Sequence, residues 1–195
     1  MRFSKRTQHR LLALVLDIFD MISFLVFVWG IVLFVRFFVA NPFTVIGESM
    51  HPTFEERDFI IVDKVSSRFT DRKRGEVIVF VAPGKTDPYI KRIIWLPGEI
   101  VKVENGHVNI CSGENNCHVL EEKYLPKNLK TEARCGKSEF EVTWGLFVMW
   151  DNRGLSTDSL CCFGLKCYDW ANYVVPENRI IGKVYMRLFP RFKIF

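Results

Sequence analysis

Residues 21–40, Met-Ile-Ser-Phe-Leu-Val-Phe-Val-Trp-Gly-Ile-Val-Leu-Phe-Val-Arg-Phe-Phe-Val-Ala, are apolar apart from Ser23 and Arg36. A bilayer's hydrocarbon core needs roughly 20 such residues in a spanning helix. A helix buried in a soluble core would normally keep one polar face, and this stretch has none. The run therefore predicts a membrane span. Asp17 and Asp20 suit an interface, and Arg36 can snorkel to headgroups. The apolar stretch exceeds the roughly 7–15 residues of a cleaved secretory leader. Cleavage after Ala40 would also put Phe38 where a small residue is needed. The segment over 15–40 is expected to be a retained anchor. Residues 1–14 form a basic end, with Arg2, Lys5, Arg6 and Arg10 and no acid in the first ten. By the positive-inside rule the N-terminus lies in the cytoplasm and 41–195 outside.

Past residue 40 the pattern changes to short strands. Phe59–Val62 and Val77–Val81 are continuous apolar runs, the second stopped by Ala82-Pro83-Gly84. Ile90–Trp95 ends at Leu96-Pro97-Gly98. Ile100–Glu104 and His107–Ile110 flank Asn105-Gly106, a strong hairpin signal because both turn positions favour positive φ. Glu141–Met149 and Ile180–Leu188 complete the strand candidates, and no sustained helical period appears. The expected fold class is mainly β behind one N-terminal transmembrane helix. Residues 111–139 lose the pattern and form a Cys-rich insert within an extracytoplasmic unit over 41–195. The six cysteines suit disulfides in an oxidising compartment. Cys111–Cys117 is a plausible local pair, as is Cys167 with Cys161 or Cys162. The spacing lacks paired Cys-x-x-Cys, which argues against zinc or another metal. Of the net charge of +5, the first ten residues carry +4, so no basic groove is left for nucleic acid.

Three polar blocks carry the chemistry. The first is Gly47-Glu48-Ser49-Met50-His51-Pro52-Thr53, and the second is Tyr89-Ile90-Lys91-Arg92-Ile93-Ile94-Trp95-Leu96-Pro97-Gly98-Glu99. The third is Trp150-Asp151-Asn152-Arg153-Gly154-Leu155-Ser156-Thr157-Asp158-Ser159. A serine needs a base before it can attack a carbonyl, and a desolvated, neutral lysine can serve. No histidine is well placed for a conventional triad. Alone, Lys91 would pass as a solvent-facing strand residue and the third block as a polar turn.

In this order behind an anchor, the blocks resemble those of the type I signal peptidases, Ser/Lys-dyad serine proteases, over most of 41–110 and 144–185. The resemblance implies a signal-peptidase-like β-domain of coiled sheets that removes signal peptides from exported pre-proteins after Ala-x-Ala-like sequences. It implies Ser49 as nucleophile, Lys91 as general base and Ser156 as the hydroxyl that orients the amine. Asp151 and Asp158 would hold the surrounding loops, with Arg92 and Arg153 as candidate partners. Phe43, Val45, Met50, Tyr89 and Ile90 would line the small substrate pockets. It implies no cofactor, a lipid bilayer around the anchor, and secretion machinery nearby. The oxyanion donor would be the Ser49 N–H, since Gly47 offers no side chain. Two departures stand out: the family has glycine at Trp150 and arginine at Leu160. They leave open a catalytically impaired member that only binds peptides. A self-cleaving repressor shares the dyad but carries a DNA-binding module in place of an anchor.

Overall fold

The computed structural model describes residues 5–113, 116–133, 135–154, 157–167 and 172–195. The chain divides into two compact units, Met1–Ala40 and Asn41–Phe195.

In the first unit, helix α1 covers Lys5–Phe34 and continues as one wider turn over Val35–Val39. The helix starts about ten residues before the expected 15, since no proline or glycine interrupts Lys5–Leu16 and helix propagates once nucleated. It ends before Asn41-Pro42, where the proline disfavours helical backbone in the residue ahead of it. Residues 12–39 are long and apolar enough to cross a membrane, and their side chains are not buried by protein.

Among the described residues the second unit holds eleven strands in two sheets, with antiparallel pairing throughout β2 to β11. In chain order they are β1 (Ala40–Thr44), β2 (Phe59–Asp63), β3 (Val77–Val81), β4 (Pro88–Trp95), β5 (Glu99–Glu104) and β6 (His107–Cys111). There follow β7 (Cys117–Val119), β8 (Glu139–Val142), β9 (Phe147–Met149), β10 (Ile180–Phe189) and β11 (Lys193–Ile194). The larger sheet runs β1-β2-β10-β3-β4-β9, with β11 beside β10. The smaller runs β7-β6-β5-β8. The mainly β expectation holds. A single helical turn, α2 (Ser66–Phe69), lies between β2 and β3.

The expected strand candidates appear with small shifts, and one differs. Glu141–Met149 splits into β8 and β9, which belong to different sheets. Gly145 makes the break: its φ is +71°, and a Cβ there would lie 2.8 Å from the Val175 carbonyl oxygen. Asn105-Gly106 turns the β5–β6 hairpin with φ of 54° and 82°, as its sequence requires. The stretch 111–139 is not all irregular, because β7 pairs with β6 beside the Cys111–Cys117 disulfide. Cys162–Cys167 closes a second local loop. Cys135–Cys161 ties the insert to the segment that follows Asp158.

β4 positions the site. It is buried from Lys91 to Trp95, pairs with β3 along Pro88–Arg92, and pairs with β9 only from Arg92 onward. Its edge over Pro88–Lys91 is therefore not covered by β9. Below it, Val45, Met50, Phe54, Ile60, Val62, Val77 and Val79 pack as one core cluster. Phe140, Phe147 and Tyr173 belong to a second cluster, where two sheets meet.

Candidate active site

The three blocks meet. Ser49 lies in the turn after β1, and its carbonyl accepts from the Asn152 N–H at 3.0 Å. Asn152 also donates through Nδ2 to the Glu48 carbonyl at 3.2 Å, so the third block grips the first from both sides of Ser49. Thr53 Oγ1 donates to Asp151 Oδ2 at 2.5 Å. Arg92 closes the triangle with Nε and Nη2 on the two Asp151 oxygens at 2.8 and 2.5 Å, and Nη2 on Thr53 at 3.1 Å. Arg92 Nη1 also donates to the Gly75 carbonyl at 2.7 Å.

Alternation along β4 sends Lys91 to the other face. Its Nζ stands 3.3 Å from Ser49 Oγ and 2.7 Å from the Ile90 carbonyl oxygen. The residue is 1% exposed, which is rare for lysine. The rings of Trp150 and Tyr89 lie 4.6 and 5.4 Å from the amine. Burial lowers its pKa from 10.5 to about 7, against the pull of Asp158 and Asp151, which favour the ammonium. The amine is thus neutral in a large share of molecules at neutral pH. A neutral amine beside a hydroxyl can accept its proton, and a general base works best with a pKa near the working pH. Among the described residues the Ser49 N–H has no hydrogen-bond acceptor and is available as a donor.

The other sequence candidates divide. Asp151 is fully buried on Arg92, one of its two expected partners. Asp158, where the family's following arginine is Leu160, accepts instead from the N–H groups of Trp150 and Leu160, both at 3.0 Å. Burial pushes its carboxyl upward. The Arg153 guanidinium reaches neither aspartate's carboxylate at hydrogen-bond distance, although its backbone N–H donates to the Asp151 carbonyl at 3.1 Å. It reaches Glu122 of the insert at 2.5 and 3.2 Å, Thr131 at 3.1 Å and its neighbour's Trp150 carbonyl at 2.7 Å. Ser156 lies outside the described residues.

A cavity of about 650 Å³ opens beside Ser49 and Lys91. Phe43, Val45, Tyr89 and Ile90 line it. Met50 does not. Its side chain is fully buried in the core cluster, because the turn that presents Ser49 outward sends the next residue inward. Sequence reasoning did not give a role to Thr53 and Asn152, although both sit inside quoted motifs. It missed Glu122, Tyr124 and Thr131, which no motif marks; the Tyr124 ring lies 3.8 Å from the Arg92 guanidinium carbon. No group of His, Cys, Asp or Glu among the described residues is arranged to hold a metal.

Known proteins are similar to this chain over most of its length. A signal peptidase I of Leptolyngbya laminosa is 34% identical over 172 residues, covering 80% of this chain and 72% of its own. A probable signal peptidase I-1 of Synechocystis is 34% identical over 169 residues, covering 81% and 76%. Signal peptidase I T of Bacillus subtilis is 32% identical over 165 residues, covering 81% and 78%. The model of the family described as signal peptidase, peptidase S26, matches residues 18–189, a span that takes in all three blocks. The chain belongs to the signal peptidase family, peptidase S26.

Proposed function

We propose that this chain is a membrane-anchored serine endopeptidase that removes N-terminal signal peptides from exported pre-proteins, with Ser49 as nucleophile and Lys91 as general base. One observation carries the dyad: a lysine amine buried among aromatic rings, 3.3 Å from a serine hydroxyl at the mouth of an apolar cavity. The names of the relatives support the substrate class.

Lys91 Nζ takes the Ser49 Oγ proton as the oxygen attacks the scissile carbonyl, and the Ser49 N–H faces the oxyanion. The tetrahedral species collapses, and the lysine ammonium passes its proton to the departing amine. Lys91 then deprotonates a water that attacks the acyl-serine, and the proton returns to Ser49. Arg92, Asp151 and Thr53 fix the loops rather than touch the reacting atoms. Ser156, as the family resemblance implies, orients the amine, and Asp158 and Arg153 hold the Trp150 backbone at its N–H and its carbonyl.

The substrate lies extended between β1 and the uncovered edge of β4, pairing backbone to backbone. Phe43, Val45, Tyr89 and Ile90 narrow the cavity to small side chains, which favours Ala-x-Ala. The exposed apolar helix sits in the bilayer, with the basic N-terminus in the cytoplasm and residues 41–195 outside, next to the secretion machinery.

Ser49→Ala, Lys91→Ala and Lys91→Arg should each abolish cleavage of a pre-protein with an Ala-x-Ala site while circular dichroism stays native. Guanidinium cannot give up its proton at any working pH, so Lys91→Arg tests the base role directly. Wild-type kcat/KM should rise with pH around a midpoint near 7, as the amine loses its proton. A folded wild-type protein that binds but never cleaves such substrates would favour a peptide-binding domain instead. Near-wild-type turnover in Lys91→Arg would end the lysine mechanism.

A further inference from the structure

We propose that the indole of Trp150 is a positioning residue for the Lys91 amine, its face holding the amine toward Ser49 and closing it from water. The inference rests on the Ser49–Lys91 reading above and adds a part to it. The ring lies 4.6 Å from Nζ, with the Tyr89 ring on the same amine at 5.4 Å. Trp150 also lines the cavity. Its backbone is held at both ends, by the N–H on Asp158 at 3.0 Å and by the carbonyl under Arg153 Nε at 2.7 Å. The indole Nε1 is buried and makes no hydrogen bond among the described residues. What the side chain offers here is therefore its face and its bulk.

Those two contributions pull in opposite directions. Bulk keeps water from the amine and favours its neutral form. The ring's quadrupole attracts the ammonium and favours the charged form. Together they give an amine that is dry enough to lose its proton and held in place while it carries one. Among the described residues, the other charged or titratable groups that act on the amine are Asp158 and Asp151 from the segment after β9 and the Tyr89 phenol from β4. Glu48 and Asp87 line the same cavity. None of the five is substituted in the Trp150 variants that follow, so those variants differ from wild type only at the ring.

The test is the pH profile of kcat/KM for the full chain in detergent on an Ala-x-Ala peptide. Trp150→Leu keeps an apolar cover and loses the face, so its midpoint should fall by about half a unit to one unit. Trp150→Gly loses both; burial dominates the amine's ionisation, so its midpoint should rise by about one unit or more. At pH 7 that variant should lose about fivefold or more in rate and recover much of it in alkaline buffer. Trp150→Phe keeps a face and should stay within a few tenths of wild type. The indole emission lost in Trp150→Phe should titrate with the activity midpoint and cease to titrate in Lys91→Met. Midpoints that stay put in Leu and Gly, or move the same way, overturn the proposal. If the glycine variant does not fold, the leucine and phenylalanine variants decide alone. Activity in Lys91→Ala would sink the dyad itself; an inactive Lys91→Ala with unmoved Trp150 midpoints sinks only this inference.

Discussion

Lys91 and Arg92 are neighbours on β4, both buried cations, and the fold treats them in opposite ways. Arg92 is 6% exposed and meets a carboxylate, a hydroxyl, a carbonyl and an aromatic face. Lys91 is 1% exposed and meets a hydroxyl, a carbonyl and two aromatic rings, with no carboxylate at ion-pair distance among the described residues. Strand alternation alone separates them, since consecutive side chains leave a strand on opposite faces. A guanidinium with a bidentate carboxylate is a stable joint. An ammonium denied such a partner gives up its proton easily, and that is the property a base needs. Pairing makes Arg92 a structural joint, and burial without such a pair suits Lys91 to the base role proposed above.

The largest effect should follow from breaking the joint. Arg92→Met leaves Asp151 buried with only Thr53 as a side-chain donor among the described residues. An uncompensated buried charge costs about 3–5 kcal/mol. Chemical denaturation of the full chain in detergent should show a loss of that size, and activity should fall with it. A loss under about 1 kcal/mol would mean that the pair is no stronger than a surface one and that the contrast with Lys91 is false.

Lys91→Met should act with the opposite sign and depend on pH. The folded pKa near 7 lies below the ordinary 10.5. Below pH 7 both states hold the proton, and the folded state carries a charge that it solvates poorly. Between about 7 and 10.5 the unfolded chain binds more protons, so wild-type stability from this group rises with pH. The variant should therefore be a few kcal/mol more stable than wild type near pH 5–6. That advantage should shrink as pH climbs toward 10.5. A constant difference across this range would mean that Lys91 titrates normally in the fold.

How much of this contrast was legible in the sequence depends on distance along the chain. Alternation in Tyr89-Ile90-Lys91-Arg92 was visible, and so was the hairpin at Asn105-Gly106, because periodicity and turn chemistry are local. The nearness of Ser49, Lys91 and the third block came from a resemblance, not from any physical signal in the residues. Partner choice was harder. Arg153 was expected on an aspartate nearby, but Glu122 in the insert takes it, and nothing in the insert's sequence marks that carboxylate. Met50 was placed in the pocket by its motif position, whereas the direction of a side chain in a turn depends on backbone angles that a motif does not state. Trp150 was visible as a departure from the family's glycine; its place over the amine was not.

The smallest effect tests whether burial, rather than charge pairing itself, separates these cases. Lys102 on β5 sits opposite Glu139 on β8, and its Nζ is 3.1 Å from Oε2. The distance is longer than the 2.5 and 2.8 Å of the Arg92–Asp151 pair but still that of an ion pair, and the two side chains are 24% and 55% exposed. Water already solvates both groups, and holding two long side chains together costs entropy, so a pair of this kind is worth about 0–1 kcal/mol. Lys102→Met should change stability by less than about 1 kcal/mol in low salt. Most of that change should disappear at about 1 M salt, where the screening length is only about 3 Å. The Arg92→Met loss should persist at the same salt, because ions do not enter the space around Asp151, which is fully buried. If salt erased both losses alike, the joint at Arg92 would be an exposed ion pair in practice, and burial would not explain why two adjacent cations on β4 behave so differently.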